Sequence, residues 1–255
     1  MASPIICSGL TVGCRASSSM LMTDHTRSQG KILANTRGGS RRTRFIVAHE
    51  LGHFLMERHV LGNNGGFVCA QSDMLERQSR TRHQKQEAEA NQFAIFLLAP
   101  GYKIEPFLSA DPNIKTVQYL SNAIEVSLEA TMRHFLTFID EPLAAEWSHN
   151  GSVRYSARSS RFPWISVKKG DPLLGITPTN RAAKYDRKGI TDMVETISTA
   201  WIDVSKMELF EQTRVGNKGY ALTLLWATLP NDDPDNGSGV AELEAPGFKA
   251  RSRRK

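Results

Sequence analysis

The hydrophobic pattern of the N-terminal half is helical in four segments. Apolar residues recur every three or four positions within residues 44–56 and 87–100, which predicts two amphipathic helices. Two shorter segments, 117–124 and 128–136, predict a pair of helices joined by a tight turn, with Ser127 as the N-cap of the second. The faces that the two longer helices are expected to bury consist of Leu51, Phe54 and Leu55, and of Ala90, Phe93, Ala94, Leu97 and Leu98.

The pattern changes from helical to alternating after this helix pair. Residues 145–148 and 153–156 flank the dipeptide Asn150-Gly151, and this arrangement predicts a β-hairpin with a two-residue turn. Residues 165–167 and 220–226 predict further strands. The C-terminal region is therefore expected to form a small α+β unit.

The segments before and between these elements are strands or loops. Residues 31–35 predict an edge strand, and a glycine-rich break leads from it into the first helix, whose N-cap we expect to be Ser40 or Thr43. The run up to Gln86 is long, basic and glutamine-rich, which is typical of a loop. From residue 231 onward the composition is too polar and glycine-rich to bury a core, so we expect a disordered tail.

The first helix carries two histidines and a glutamate in the pattern HExxH. His49 and His53 lie four positions apart, so both imidazoles project from nearly the same side of the helix and can reach one tetrahedral Zn²⁺. Glu50 lies to the side, where its carboxylate can act as general base toward a water at the metal. Two histidines on an ordinary amphipathic helix are the alternative interpretation, and a third ligand decides between the two.

Glu87, at the start of the second helix, is the candidate for that third ligand. It lies one turn before Asn91, so Glu87 can complete a His2Glu site while Asn91 supplies a supporting hydrogen bond. Glu89 points roughly 200° away from Glu87 around the helix and is the weaker candidate. His59 and His83 match ligand geometry less well, and we expect both to be surface histidines.

These two helices resemble the ImmA/IrrE-type zinc metallopeptidase family. The family signature is a strand, then R-x-x-x-A-H-E-L-G-H, then E-x-x-A-N-x-F-A-x-x-L-L-x-P, and residues 32–35, 44–53 and 87–100 match nearly all of it. The resemblance implies a zincin-like fold with a bound Zn²⁺. The implied zinc ligands are His49, His53 and Glu87, and the implied general base is Glu50.

The resemblance also divides the chain into parts, because longer members of the family add a helix-turn-helix-like segment and a GAF-like domain to the peptidase core. The fold class expected here is accordingly α+β. We expect a zincin-like metallopeptidase domain over residues 1–112, a helix-turn-helix-like helical segment over 113–140, a small α+β (GAF-like) domain over 141–230 and a disordered basic tail over 231–255.

Composition adds the expected compartment and possible partners. The formal charge of +6 is concentrated around residues 37–44, 77–85 and 249–255, which suggests acidic partners or nucleic acid, with solvated loops as the alternative. The three cysteines show no metal-ligand spacing, and a reducing cytoplasm fits them best. No segment reaches the length of a transmembrane helix, and no Lys or Arg precedes the apolar part of the N-terminus, so we expect neither a membrane anchor nor a signal peptide.

The sequence therefore predicts a cytoplasmic zinc metalloendopeptidase. By resemblance, its substrate is a helix-turn-helix transcriptional repressor, cleaved in a stress or mobile-element response, with an extended segment of the substrate paired to strand 31–35. One alternative is a non-catalytic adaptor with a zincin fold, and Glu50 counts against it because a scaffold has no need of a general base. The other is a DNA-binding regulator, which is disfavoured because the second short helix offers only Glu129, Thr131 and Arg133.

Overall fold

The computed structural model describes two β-sheets and five α-helices. The described residues are 5–7, 10–13, 19–24, 26–60, 66–69, 81–109, 111–173, 177 and 189–228. Most of the predicted basic loop before Gln86 and the predicted tail from residue 231 lie outside them. Helices and strands are segregated along the chain, which confirms the α+β class.

The first sheet has five strands in the order β1-β2-β4-β3-β5, with only the β2–β4 pair parallel. Its strands are β1 (Ile5–Cys7), β2 (Leu10–Gly13), β3 (Ser19–Thr23), β4 (Gly30–Leu33) and β5 (Gly66–Cys69). The prediction that residues 31–35 form an edge strand is wrong, because β4 is paired on both sides. The short strand β5 pairs with β3, so it takes the edge position next to β3 in the described sheet.

Helix α1 (Ser40–Leu55) packs on this sheet. Its N-cap is Gly39, and neither Ser40 nor Thr43 caps it; the Thr43 hydroxyl instead bonds the Gly39 carbonyl at 3.0 Å. Val47, Leu51 and Phe54 contact the sheet residues Leu21, Ile32, Phe67 and Cys69. Leu55, expected on the buried face, is 54% exposed, because it lies about 100° around the helix from Phe54.

The chain turns sharply after α1, and Arg27 holds this turn. Its guanidinium donates to the carbonyl oxygens of His53 at 2.8 Å and of Met56 at 2.5 Å, and also to that of His59. The His53 carbonyl lies in the last helical turn, where carbonyls lack intrahelical partners, and the Met56 carbonyl also accepts from the His59 N–H at 2.9 Å. The turn brings His59 back against the end of α1.

Helix α2 (Arg82–Leu98) crosses α1 closely. It begins earlier than predicted, at a capping box formed by Thr81 and Gln84. A Cβ on Gly52 would lie 3.3 Å from the Ala90 Cα, so a small residue at each position permits the close approach. Ala90 and Ala94 are fully buried, whereas Leu97, expected on the buried stripe, is 50% exposed. The close crossing places the second turn of α2, which carries Glu87, opposite the last two turns of α1.

Three shorter helices follow, namely α3 (Gly101–Ile104), α4 (Ile114–Ala123) and α5 (Leu128–Phe135). Helices α4 and α5 confirm the predicted helix pair, and the Ser127 side chain caps α5 by accepting from the Ala130 N–H at 3.2 Å. No helix in the described part of the chain has the length and apolarity needed to cross a membrane.

The second sheet is formed by the C-terminal strands, in the order β7-β6-β11-β10-β8 with β9 also paired to β10. Its strands are β6 (Leu143–His149), β7 (Ser152–Arg158), β8 (Gly189–Ile190), β9 (Val194–Thr196), β10 (Glu208–Val215) and β11 (Tyr220–Thr228). The predicted hairpin is confirmed: Asn150 and Gly151 have φ of 50° and 75°, as a type I′ turn requires. Strand 220–226 is also confirmed, whereas of residues 165–167 only Ile165 forms a β-bridge, to Ile202.

Both faces of the second sheet are buried. On one face Leu143, Trp147 and Leu224 share a core with α4, α5 and the end of α2. The other face is covered by irregular segments that contribute Phe162 and Trp201. The helix pair is therefore packed between the first part of the chain and the second sheet. The GAF-like assignment and the domain boundaries stay predictions.

Candidate metal centre

Two imidazoles on α1 face a buried point between the helices and the first sheet. His49 and His53 are both 0% exposed, and their Nε2 atoms lie 3.1 Å apart. Their spacing of four residues puts them one turn apart on the side of α1 that faces α2. The two ring nitrogens thus converge on one position, as the sequence predicted.

Glu87 completes a triangle with these nitrogens. Its Oε2 lies 3.2 Å from His49 Nε2, its Oε1 lies 3.3 Å from His53 Nε2, and the side chain is 0% exposed. Burial alone would raise the pKa of Glu87, but hydrogen bonds with both histidines outweigh it and lower the pKa below its ordinary value. Glu87 is thus held as a carboxylate, the form that binds a metal ion.

Cys69 is a fourth potential ligand, which the sequence analysis missed. Its Sγ lies 3.7 Å from His53 Nε2 and 3.6 Å from Glu87 Oε1, and the residue is 0% exposed. One ligand atom from each of the four residues lies within 4.8 Å of the others. Cys69 reaches the site because β5 pairs with β3. The sequence does not indicate this pairing, because Cys69 has no characteristic spacing from the histidine motif.

Hydrogen bonds behind the histidines fix their orientation. Asn91 Oδ1 lies 2.9 Å from His49 Nδ1, as predicted. His53 Nδ1 lies 2.9 Å from His59 Nδ1, and His59 Nε2 lies 2.8 Å from Glu89 Oε2. With a metal bound, His53 would donate from Nδ1 to His59, and His59 would donate to Glu89. The His53 Nε2 would then carry no proton and could bind the metal instead of donating to Glu87.

The expectation that His59 is a surface histidine is wrong. It is 1% exposed, because the turn held by Arg27 folds it under α1. Burial lowers the pKa of His53 to about 4 and also lowers the pKa of His59, so both are neutral near pH 7. A neutral imidazole is the form that ligates metals. His83 lies 56% exposed at the rim, with its Nδ1 3.7 Å from Glu87 Oε1, in keeping with the prediction.

Glu50 is buried beside this cluster. It is 0% exposed, Ser19 and Cys69 flank its carboxylate, and neither of its oxygens makes a hydrogen bond of good geometry. Burial is the largest effect on its titration and raises the pKa of Glu50, partly offset by His49. A buried carboxylate without a firm partner is costly, so a group absent from the protein chain is expected next to it.

The comparison with known protein families agrees with this geometry. Residues 12–135 match the family model Peptidase_M78, described as an IrrE N-terminal-like domain. This segment is therefore similar to the IrrE N-terminal-like domain, in agreement with the resemblance found in the sequence. The match covers both helices that carry the site and also the helix pair α4–α5.

One solved structure shares the fold at low sequence identity. It is a Mycobacterium tuberculosis transcriptional regulator, with a TM-score of 0.52 and 11% identity over 86% of this chain. The chain spans 66% of that structure, just under two thirds of its length. No curated protein matches the chain at a significant level.

The donor set is one that could hold a metal ion of zinc size. With zinc bonds of about 2.0–2.1 Å to nitrogen or oxygen and about 2.3 Å to sulfur, tetrahedral angles place N and O ligands about 3.3 Å apart and sulfur about 3.6 Å from each. The two Nε2 atoms lie 3.1 Å apart, each lies 3.2 or 3.3 Å from a different oxygen of Glu87, and the sulfur lies 3.6 and 3.7 Å from Glu87 and His53. The four ligand atoms lie within 4.8 Å of one another, so these side chains converge closely enough to bind such an ion.

A cavity of about 900 Å³ adjoins the site at Asn91, which lines the cavity and also bonds His49. It lies between α1, α2, α5 and β7. Its charged lining consists of Arg41, Arg42, Arg133, Arg154 and one acid, Glu129. The cavity is therefore basic and suits an acidic or anionic segment of a partner.

Proposed function

We propose that the protein is a zinc-dependent metalloendopeptidase that hydrolyses a peptide bond at this centre. His49, His53 and Glu87 would hold the zinc, and Glu50 would be the general base. The observation that carries the proposal is the position of Glu50, fully buried beside the ligand cluster and without a hydrogen bond of good geometry. A metal site that only stabilises the fold gains nothing from a second buried carboxylate.

Zinc, when bound, would polarise the substrate carbonyl and lower the pKa of the attacking water. Side chains of the protein would carry out the proton transfers and hold the ligands in place. Glu50 takes a proton from that water and later delivers it to the leaving amine, and the raised pKa of Glu50 suits both transfers. Asn91 and the His59–Glu89 pair hold the two imidazoles in place, so that the ligands need not reorganise during the reaction.

Substrate would bind along the edge of the first sheet. Strand β5 is the outer strand of the described sheet and ends at Cys69, next to the cluster, so it replaces strand 31–35 as the place where an extended segment can add by β-augmentation. The basic cavity between α1, α2 and α5 favours an acidic portion of the same partner. We propose that this partner is a helix-turn-helix repressor, cleaved at one site in the cytoplasm in a stress or mobile-element response.

Direct control of DNA is the less favoured alternative. Helix α5, the recognition-helix candidate, is packed between neighbouring elements, and its Thr131 is 1% exposed. Arg133 lies 3.8 Å from Glu129 and over the Tyr155 ring, so its charge is engaged within the protein. A helix that reads a major groove needs exposed side chains along one face.

The test compares a specific substrate with a general one. Zinc-loaded protein is incubated with a candidate repressor and with casein, and the Glu50→Gln variant serves as the matched control. We expect one cut in the repressor, little casein digestion and no cleavage by the variant. Rapid casein digestion without repressor cleavage would point to a general peptidase. Zinc binding with no cleavage of either would favour the adaptor.

A further inference from the structure

The fourth corner of the ligand cluster is occupied by a sulfur atom. Cys69 Sγ lies 3.6 Å from Glu87 Oε1 and 3.7 Å from His53 Nε2, and the side chain is fully buried. A water in the fourth position of a tetrahedral zinc site would lie about 3.3 Å from each protein ligand, and a thiolate about 3.6 Å from each. The two sulfur distances are close to those expected of a thiolate ligand, and the four ligand atoms all lie within 4.8 Å of one another.

Glu50 lies beside Cys69 at the edge of the cluster. Its carboxylate is 0% exposed, flanks Cys69 and makes no hydrogen bond of good geometry. A thiol must lose its proton to bind a metal ion, and metal binding therefore releases a proton. On binding, the S–H bond of Cys69 would break, a metal–sulfur bond would form and the proton would pass to solvent.

We propose that Cys69 is the fourth zinc ligand in the resting protein and that it keeps the peptidase latent. This inference rests on the proposed function, because it concerns regulation of the same site. With Cys69 bound, the metal has four protein ligands, as structural zinc sites have, and no position for the attacking water.

Activation then requires Cys69 to leave the metal. The residue lies at the end of the edge strand β5, where its described strand partner is Ser19 on β3. A substrate segment that adds to the other side of β5 would shift this strand and withdraw the sulfur. The thiolate would take up a proton from solvent as it leaves, and the fourth position would then be open to a water beside Glu50. Substrate docking would thus open the site that cleaves the substrate.

The coordination can be read directly from zinc X-ray absorption of the full chain. The chain has three cysteines, so the Cys7→Ser/Cys14→Ser variant retains Cys69 as its sole thiol. The Cys69→Ala variant retains the other two cysteines and lacks only this thiol. We expect one sulfur at about 2.3 Å in wild type and in the sole-thiol variant, and none in Cys69→Ala. Cobalt-loaded protein should show the thiolate-to-metal charge-transfer band in the same two proteins.

The outcomes separate this inference from the proposed function. Bound zinc with only nitrogen and oxygen ligands in wild type overturns the role of Cys69 and leaves the peptidase proposal standing. Failure to bind zinc at all overturns both. For latency, Cys69→Ala should cleave the repressor severalfold faster than wild type, with the Cys7→Ser/Cys14→Ser protein unchanged. Slower cleavage by Cys69→Ala overturns latency even where sulfur is found.

Discussion

At the scale of single residues, substitutions of the zinc ligands and of the general base should have different effects on zinc binding and on cleavage. His49→Ala, His53→Ala and Glu87→Ala should each remove most of the bound zinc, because each removes one of the converging donor atoms. Glu50→Gln should keep the zinc and lose cleavage, because a general base is needed only in the transition state. Zinc content after gel filtration and repressor cleavage give the two readouts.

Glu89 is the matched control for Glu87. It lies on the same helix but hydrogen-bonds Arg58 at 3.0 Å and His59 at 2.8 Å, outside the ligand cluster. Glu89→Ala should therefore weaken zinc binding without abolishing it. The assignment of the third ligand is wrong if Glu87→Ala retains full zinc while Glu89→Ala loses it.

His59 should act on the metal through His53. His59→Ala removes the acceptor that orients the His53 ring, so we expect zinc affinity to fall about 10- to 100-fold. Competition with a chromophoric chelator measures this affinity. His83→Ala removes a more exposed histidine at the rim and should change it little. Equal losses in the two variants would mean that His59 has no specific role.

What the sequence could predict at this scale depends on how local the geometry is. His49, His53 and Glu87 lie on two helices, and periodicity alone shows which side chains share a face. Cys69 is brought to the cluster by the pairing of β5 with β3, and His59 by the turn that Arg27 stabilises. Neither contact corresponds to a recognisable spacing in the sequence. Binding of a metal by these residues stays a prediction.

At the scale of elements, Arg27 should stabilise the end of α1. Its guanidinium donates to carbonyl oxygens in and just after the last helical turn, including those of His53 and Met56. Arg27→Ala leaves these carbonyls without that donor and should cost about 1–3 kcal/mol of unfolding free energy, measured by urea denaturation. Arg37→Ala, in an exposed loop before the helix, should be nearly neutral. A neutral Arg27→Ala would show that water replaces the guanidinium.

Helices were easier to predict than strand order. The two long helices and the helix pair carry their own periodicity and caps, as Ser127 illustrates. Strand β5 has four residues and follows a glycine- and asparagine-rich stretch of sequence, so nothing local shows that it pairs with β3. For the same reason the sequence alone favours an edge position for β4. Its inner position follows only from its pairing with both β2 and β3.

At the scale of the whole molecule, one core joins the family domain to the C-terminal sheet. Leu224 of β11 and Leu120 of α4 belong to the same buried cluster, which also reaches Ala99 after α2. The second sheet is therefore a packed layer against the helix pair. This shared core could not be predicted from the sequence, because hydrophobic alternation in β6 and β11 shows that a face is buried but not which element buries it.

The pH dependence of whole-molecule stability should be governed in part by Glu146, in the middle of the second sheet. It is 0% exposed, and burial raises its pKa to about 8; Ser148 and Arg154 oppose this and Glu211 adds to it. Below its ordinary pKa of 4.5 the carboxyl is protonated in both folded and unfolded chains and costs nothing. As pH rises toward 8, only the unfolded chain releases the proton.

Stability should consequently fall by about 1.4 kcal/mol per pH unit across that window and level off above it, as far as this group is concerned. Glu146→Gln removes the titrating proton, so the variant should gain stability over wild type between pH 5 and pH 8. Melting temperatures across that range measure the difference. Glu208→Gln, on an exposed position of β10, controls for the lost charge and should follow the wild-type curve. Parallel curves for wild type and Glu146→Gln would show that the Glu146 carboxylate is ionised within the folded sheet.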